Sequence, residues 1–208
     1  MINLREWGLR LAAWLFGAFA VLTVLVVTEW IQSLDDWWDS LMWSAEASWF
    51  VSVAEVFHHA GAFPIALGTT VVVVVAFLAV RKWWAAGAWV AMVAVAEILS
   101  VTTKTLVGRE RPGEAFVHET SAAYPSGHSM VSGAAIGFGF AVLLAMLWPH
   151  RARLFLWLGG IYAVVMAWSR TYLHAHWLTD VVGGLLFGTA VVVFIVWVFE
   201  SRIIPTDE

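Results

Sequence analysis

The residues best suited to chemistry sit in one short polar stretch, Ser-Arg-Thr-Tyr-Leu-His-Ala-His-Trp-Leu-Thr-Asp, from Ser169 to Asp180. Long apolar runs flank it on both sides. Polar groups at the edge of a bilayer are costly to desolvate, so a cluster of them calls for a reason. His176 and Asp180 are four apart and would share a face of a helix. A carboxylate placed there accepts the proton on one ring nitrogen, which leaves the lone pair of the other free to attack or bind. Arg170 carries a planar fork of donors that can hold an anion before the imidazole.

A second group of such residues precedes this stretch. Lys104, Arg109 and Arg111 open the longest polar connection, and Tyr124-Pro125-Ser126-Gly127-His128 closes it where an apolar run begins. Free N–H groups at a helix N-terminus, beside a glycine that permits close approach, suit an anion. The anion most consistent with Lys104, Arg111 and Arg170 is phosphate. Two histidines then divide the work: one attacks phosphorus and the other protonates the leaving oxygen.

The elements that must position these groups are membrane helices. Of the 208 residues 62% are hydrophobic, against about 45–50% in soluble domains. The mean hydropathy is +0.83, and fifteen tryptophans suit two membrane interfaces. With no cysteine, disulfides and thiolate metal sites are excluded. A net charge of −4 argues against a nucleic-acid partner.

Six spans are expected, near residues 11–28, 63–80, 83–103, 129–148, 154–168 and 181–199, in one all-α, polytopic domain covering residues 1–208. Arg5 and Arg10 precede the first run, which is too long for a signal-peptide core and reads as an uncleaved span. Between Glu29 and Gly61, Asp35, Asp36, Asp39, Glu46 and Glu55 interleave with tryptophans, as in a helical segment lying in the interface. His58 and His59 end that segment and read as a solvated pair at headgroup level. Glu97 interrupts the third span, where a structural hydrogen bond to a neighbouring helix is the plainer reading. Gly133-x-x-x-Gly137 and Gly184-x-x-x-Gly188 would allow close helix approach.

Six spans place both termini on one side. Arg5, Arg10, Arg81, Lys82, Arg151, Arg153 and Arg202 share that side, which should be cytoplasmic. Lys104, Arg109, Arg111 and Arg170 fall outside, and a shared anionic ligand accounts for them.

Three motifs resemble those of the type 2 phosphatidic acid phosphatases, in their membrane branch. They are Lys104, six residues, then Arg111-Pro112; Pro125-Ser126-Gly127-His128; and Ser169-Arg170, five residues, His176, three residues, Asp180. They cover 77 residues, and the combination is far more specific than any one motif. The length and Val117-His118-Glu119 look like the small bacterial members, which act on phosphatidylglycerol phosphate, phosphatidic acid or polyprenyl diphosphates.

The resemblance implies a hydrolase of lipid phosphates in the bacterial cell membrane. It implies His176 as nucleophile forming a phosphohistidine, Asp180 orienting it, and His128 as general acid and then base. It further implies phosphate binding by Lys104, Arg111, Arg170, Ser126 and Gly127, with no metal and no cofactor. Glycine is common in the family where this chain has His174, which reads as an interfacial side chain. A non-catalytic lipid carrier on the same scaffold would be expected to lack His128 or His176. Vanadate-dependent haloperoxidases share the anion site but are larger and soluble.

Overall fold

The computed structural model describes residues 6–45, 47–113 and 115–203, so Arg5, Glu46 and Glu114 lie outside the described residues. The described chain is helical, with no strand. Its helices are α1 (Gly8–Val27), α2 (Gln32–Ser44), α3 (Ser48–Gly61), α4 (Phe63–Ala79), α5 (Trp83–Val107), α6 (His128–Leu147), α7 (Ala152–Tyr172) and α8 (Leu178–Ile203). A turn of 3₁₀ helix, Pro149–Arg151, leads into α7.

Five of these are long and apolar enough to cross a membrane: α1, α5, α6, α7 with its 3₁₀ turn, and α8. The sixth span is α4, which reaches that length only together with α3, from which it is bent by 59°. The bend has a local cause. Ala62 is extended, and Pro64 occupies the first turn of α4, where a missing N–H costs nothing. The expected interfacial segment is therefore two helices, and α3 packs on α7 rather than lying alone at the surface.

The centre of the bundle is α8, in contact with α1, α5, α6 and α7. Trp89, Met92, Met130, Leu143, Val192 and Val196 fill the core between them. Outward faces carry Trp14, Val21, Val72, Trp157 and Ile161, all exposed, as a lipid-facing surface requires. The approach of α8 to α6 depends on Gly184 and Gly188. A Cβ on Gly184 would lie 2.6 Å from Ser126 O, and one on Gly188 2.6 Å from Met130 O. This contact seats the start of α6 against the start of α8.

Two helix ends run further than expected. α5 continues to Val107, so Lys104 lies on its last turn, and Gly108 closes the helix at φ 63°. α7 continues to Tyr172, so Arg170 is helical.

Candidate active site

His176 and Asp180 do not share a helix face. His176 lies in the turn between α7 and α8, and Asp180 is in the first turn of α8. They meet through a capping arrangement: Asp180 Oδ2 accepts the Trp177 N–H at 2.9 Å and faces His176 Nδ1 at 3.4 Å. The other ring nitrogen, Nε2, is 3.0 Å from Arg111 Nη1. A guanidinium can only donate, so Nε2 is the acceptor. In the neutral ring the proton therefore sits on Nδ1, toward Asp180, and the lone pair of Nε2 faces the cationic cluster. Burial, followed by Arg111, Arg170 and Lys104, holds the His176 pKa well below 6.5. The imidazole is neutral at pH 7.

The cations converge around this nitrogen. Besides His176, Arg111 Nη1 donates to Ala175 O at 2.6 Å. Lys104, from the end of α5, donates to Ala122 O. Arg170 is fully buried at the end of α7. It donates to His58 Nδ1 and to Glu119 Oε1, each at 2.6 Å, and its Nε has no partner among the described residues. Glu119 thus supplies a carboxylate to the buried Arg170, and it lies 3.9 Å from Arg111 as well. An incoming phosphate must share or take over these donors.

His128 begins α6, and its Nε2 lies 3.1 Å from the carbonyl oxygen of His58, so this nitrogen carries the proton. The two imidazoles stack with centroids 5.4 Å apart. A side chain at Gly61 would collide with the His128 ring, so the end of α3 is shaped to receive it. Ser126 is buried. Its N–H donates to Asp180 O at 2.9 Å, and its hydroxyl oxygen accepts from Ser129 Oγ at 3.1 Å. The N–H groups of Gly127 and His128 have no partner among the described residues and remain available to an anion.

All the expected residues are thus gathered at one end of the bundle. Arg109 is the exception in the basic set. Its guanidinium reaches Asp180 Oδ1 at 2.6 Å and Asp35 Oδ2 at 2.7 Å, and further donates to Gln32 and Thr179. It braces Asp180 from behind rather than facing the ligand. Asp35, fully buried on α2, also accepts the Thr179 N–H at 2.8 Å at the start of α8.

Two histidine readings are corrected. His58 is not part of a solvated pair: it lies between Arg170 and His128, whereas His59 is exposed. His174 is not an interfacial side chain. It is 1% exposed, 2.6 Å from Asp39 through Nδ1, and stacked on Trp43. Its φ of 51° is left-handed, which suits a glycine. The contacts to Asp39 and Trp43 offset that strain and tie the His176 turn to α2. His174→Ala keeps the strain and loses the contacts, whereas His174→Gly relieves the strain. His174→Gly should therefore be the more stable of the two by about 1 kcal/mol, measured by thermal unfolding in detergent. Equal midpoints would refute the strain argument.

His58, Glu119 and His128 also present ligand atoms within 4.8 Å of one another, a donor set that can hold a divalent cation. Arg170 already bonds two of the three, and Arg111 and Lys104 stand nearby, so a cation would enter against three positive charges. The site is built for an anion.

Beside His128 and Glu119 a cavity of ≈ 430 Å³ runs between α4, α5 and α6 past Phe63, Ala66, Leu67, Val93 and Val131. A cationic pocket at a helix end, opening into an apolar groove in a membrane bundle, defines a membrane protein that binds a lipid-borne anion.

The chain belongs to the PAP2 superfamily, whose family model matches residues 85–204. It is 29% identical over 193 residues to phosphatidylglycerophosphatase B of Bacillus subtilis, covering 91% of this chain and 94% of that one. It is 34% identical over 159 residues to the putative undecaprenyl-diphosphatase YbjG of Escherichia coli, covering 68% and 70%. Its fold is similar to the crystal structure of a transmembrane PAP2-type phosphatidylglycerolphosphate phosphatase from Bacillus subtilis, with a TM-score of 0.85, 28% identity, and 94% and 98% coverage. The protein is a lipid phosphatase with a multi-pass membrane fold.

Proposed function

We propose that this enzyme hydrolyses a membrane lipid phosphate through a phosphohistidine on His176, without a metal ion, on the extracytoplasmic face. The observation that carries the reading is the His176 ring: Nδ1 faces Asp180, and Nε2 faces Arg111 at 3.0 Å. Lys104, Arg111 and Arg170, with Ser126 and the N–H of Gly127, hold the phosphoryl oxygens. Binding draws Arg111 onto the phosphate and releases the Nε2 lone pair. Nε2 attacks phosphorus, an N–P bond forms, and the bond from phosphorus to the lipid oxygen breaks. His128 gives that oxygen its proton. A water then attacks phosphorus while His128 takes its proton, the N–P bond breaks, and phosphate leaves.

The substrate is a phosphatidylglycerol phosphate, a phosphatidic acid or a polyprenyl diphosphate, its chain lying in the groove beside His128. The test is phosphate release from these lipids by purified protein. Activity should persist in excess EDTA and be inhibited by vanadate, which imitates five-coordinate phosphorus. Strict dependence on added Mg²⁺ would rule the mechanism out.

Sidedness rests on the basic residues of the short loops. The chain has no cysteine of its own. Cysteine at exposed Ala115, on the active-site side, should react with an impermeant maleimide in spheroplasts. Cysteine at exposed His150 should react only once the membrane is opened. The reverse pattern would place the chemistry in the cytoplasm.

A further inference from the structure

Glu97 is the carboxyl that interrupts α5, and it makes no hydrogen bond to a neighbouring helix. It lines the groove beside His128 and has no partner among the described residues. On the same helix face as Lys104, it lies about 10 Å further along the axis, well below the phosphate cluster. Ala66, Leu67, Val93 and Val131 line the same groove, together with Ser132, whose hydroxyl donates to Gly61 O at 3.1 Å. Thr70, the lining residue on α4 with a hydroxyl, gives its proton to Ala66 O at 2.8 Å. A bare carboxyl in such a place costs free energy unless a ligand answers it.

We propose that Glu97 selects the lipid, favouring a phosphate monoester of a diacylglycerol-type backbone over a polyprenyl diphosphate. The inference rests on the lipid-phosphatase reading above and adds which lipid it prefers. A diacyl lipid held by its phosphate carries ester carbonyls a few bonds below phosphorus. A polyprenyl diphosphate carries a second phosphate there and then bare hydrocarbon. The carboxyl discriminates in the same direction in either protonation state. Protonated, it donates to an ester carbonyl, which a polyprenyl chain lacks. Ionised, it repels the second phosphate.

The experiment compares kcat/KM for dioleoyl phosphatidic acid and farnesyl diphosphate in purified wild type, Glu97→Leu and Glu97→Gln. In Glu97→Leu the ratio of the two values should fall about three- to ten-fold, the worth of one hydrogen bond. Glutamine keeps a donor, so Glu97→Gln should retain the phosphatidic acid value more fully than leucine does. An unchanged ratio in Glu97→Leu would overturn the inference, as would a parallel loss on both lipids, which would mean a damaged groove. A wild type that releases phosphate from neither of these lipids nor from phosphatidylglycerol phosphate would instead overturn the phosphatase mechanism itself.

Discussion

His176→Ala is expected to reduce phosphate release to background and to abolish covalent labelling by a ³²P-lipid. In wild type, the label trapped by a rapid quench should be acid-labile and base-stable, as a phosphoramidate is. His128→Ala should differ in kind. With a lipid leaving group it loses general acid catalysis, a deficit of about 10²–10⁴-fold. With para-nitrophenyl phosphate the leaving oxygen needs no proton, so the first step should survive, and label should accumulate because the base for water is gone. Full activity in His176→Ala, or no trapped label with any substrate, would end the covalent mechanism.

The pH dependence follows from the same geometry. The His176 pKa is lowered by burial and then by the cations around it, so the attacking neutral form is complete at pH 7. It is lost only as pH falls through that lowered value. The acid limb of kcat/KM assigned to the nucleophile should therefore lie below pH 6.5.

Arg109→Met is expected to have the second large effect, on stability. Arg109 lies between Asp35 and Asp180, both fully buried, at 2.7 and 2.6 Å. Removing it leaves two carboxylates facing each other without their shared cation. Breaking a buried pair in this way costs about 3–5 kcal/mol. The variant should unfold at a markedly lower temperature in detergent and lose activity as Asp180 moves. Asp35→Asn in the same chain removes one of the stranded charges and should recover part of the midpoint. An unchanged midpoint in Arg109→Met would show that the pair does not brace the site.

The family and the polar residues that the fold gathers at one end of the bundle were legible in the sequence because they depend on local order. Lys104 to Pro112, Pro125 to His128 and Ser169 to Asp180 each place rare polar side chains at fixed short spacings between apolar runs. Spans were legible for the same reason: hydrophobic length is a local property. Glu97 was visible as an oddity in a span, but its lack of a partner and its place in the groove were not.

Tertiary structure alone decided what the charged residues face. Arg109 looked like another phosphate ligand, yet its partners Asp35 and Asp180 lie 74 and 71 residues away. His58 meets Arg170 across 112 residues, and His174 meets Asp39 across 135. Asp180 caps the Trp177 N–H and so comes to face His176 because α8 begins one residue after Trp177, a boundary that the four-residue spacing does not fix. A sequence determines which side chains carry charge and how close they are along one helix. Whether a buried cation meets a ligand or a resident carboxylate depends on which helices pack together, and small residues such as Gly184 set that packing through contacts distant in the chain.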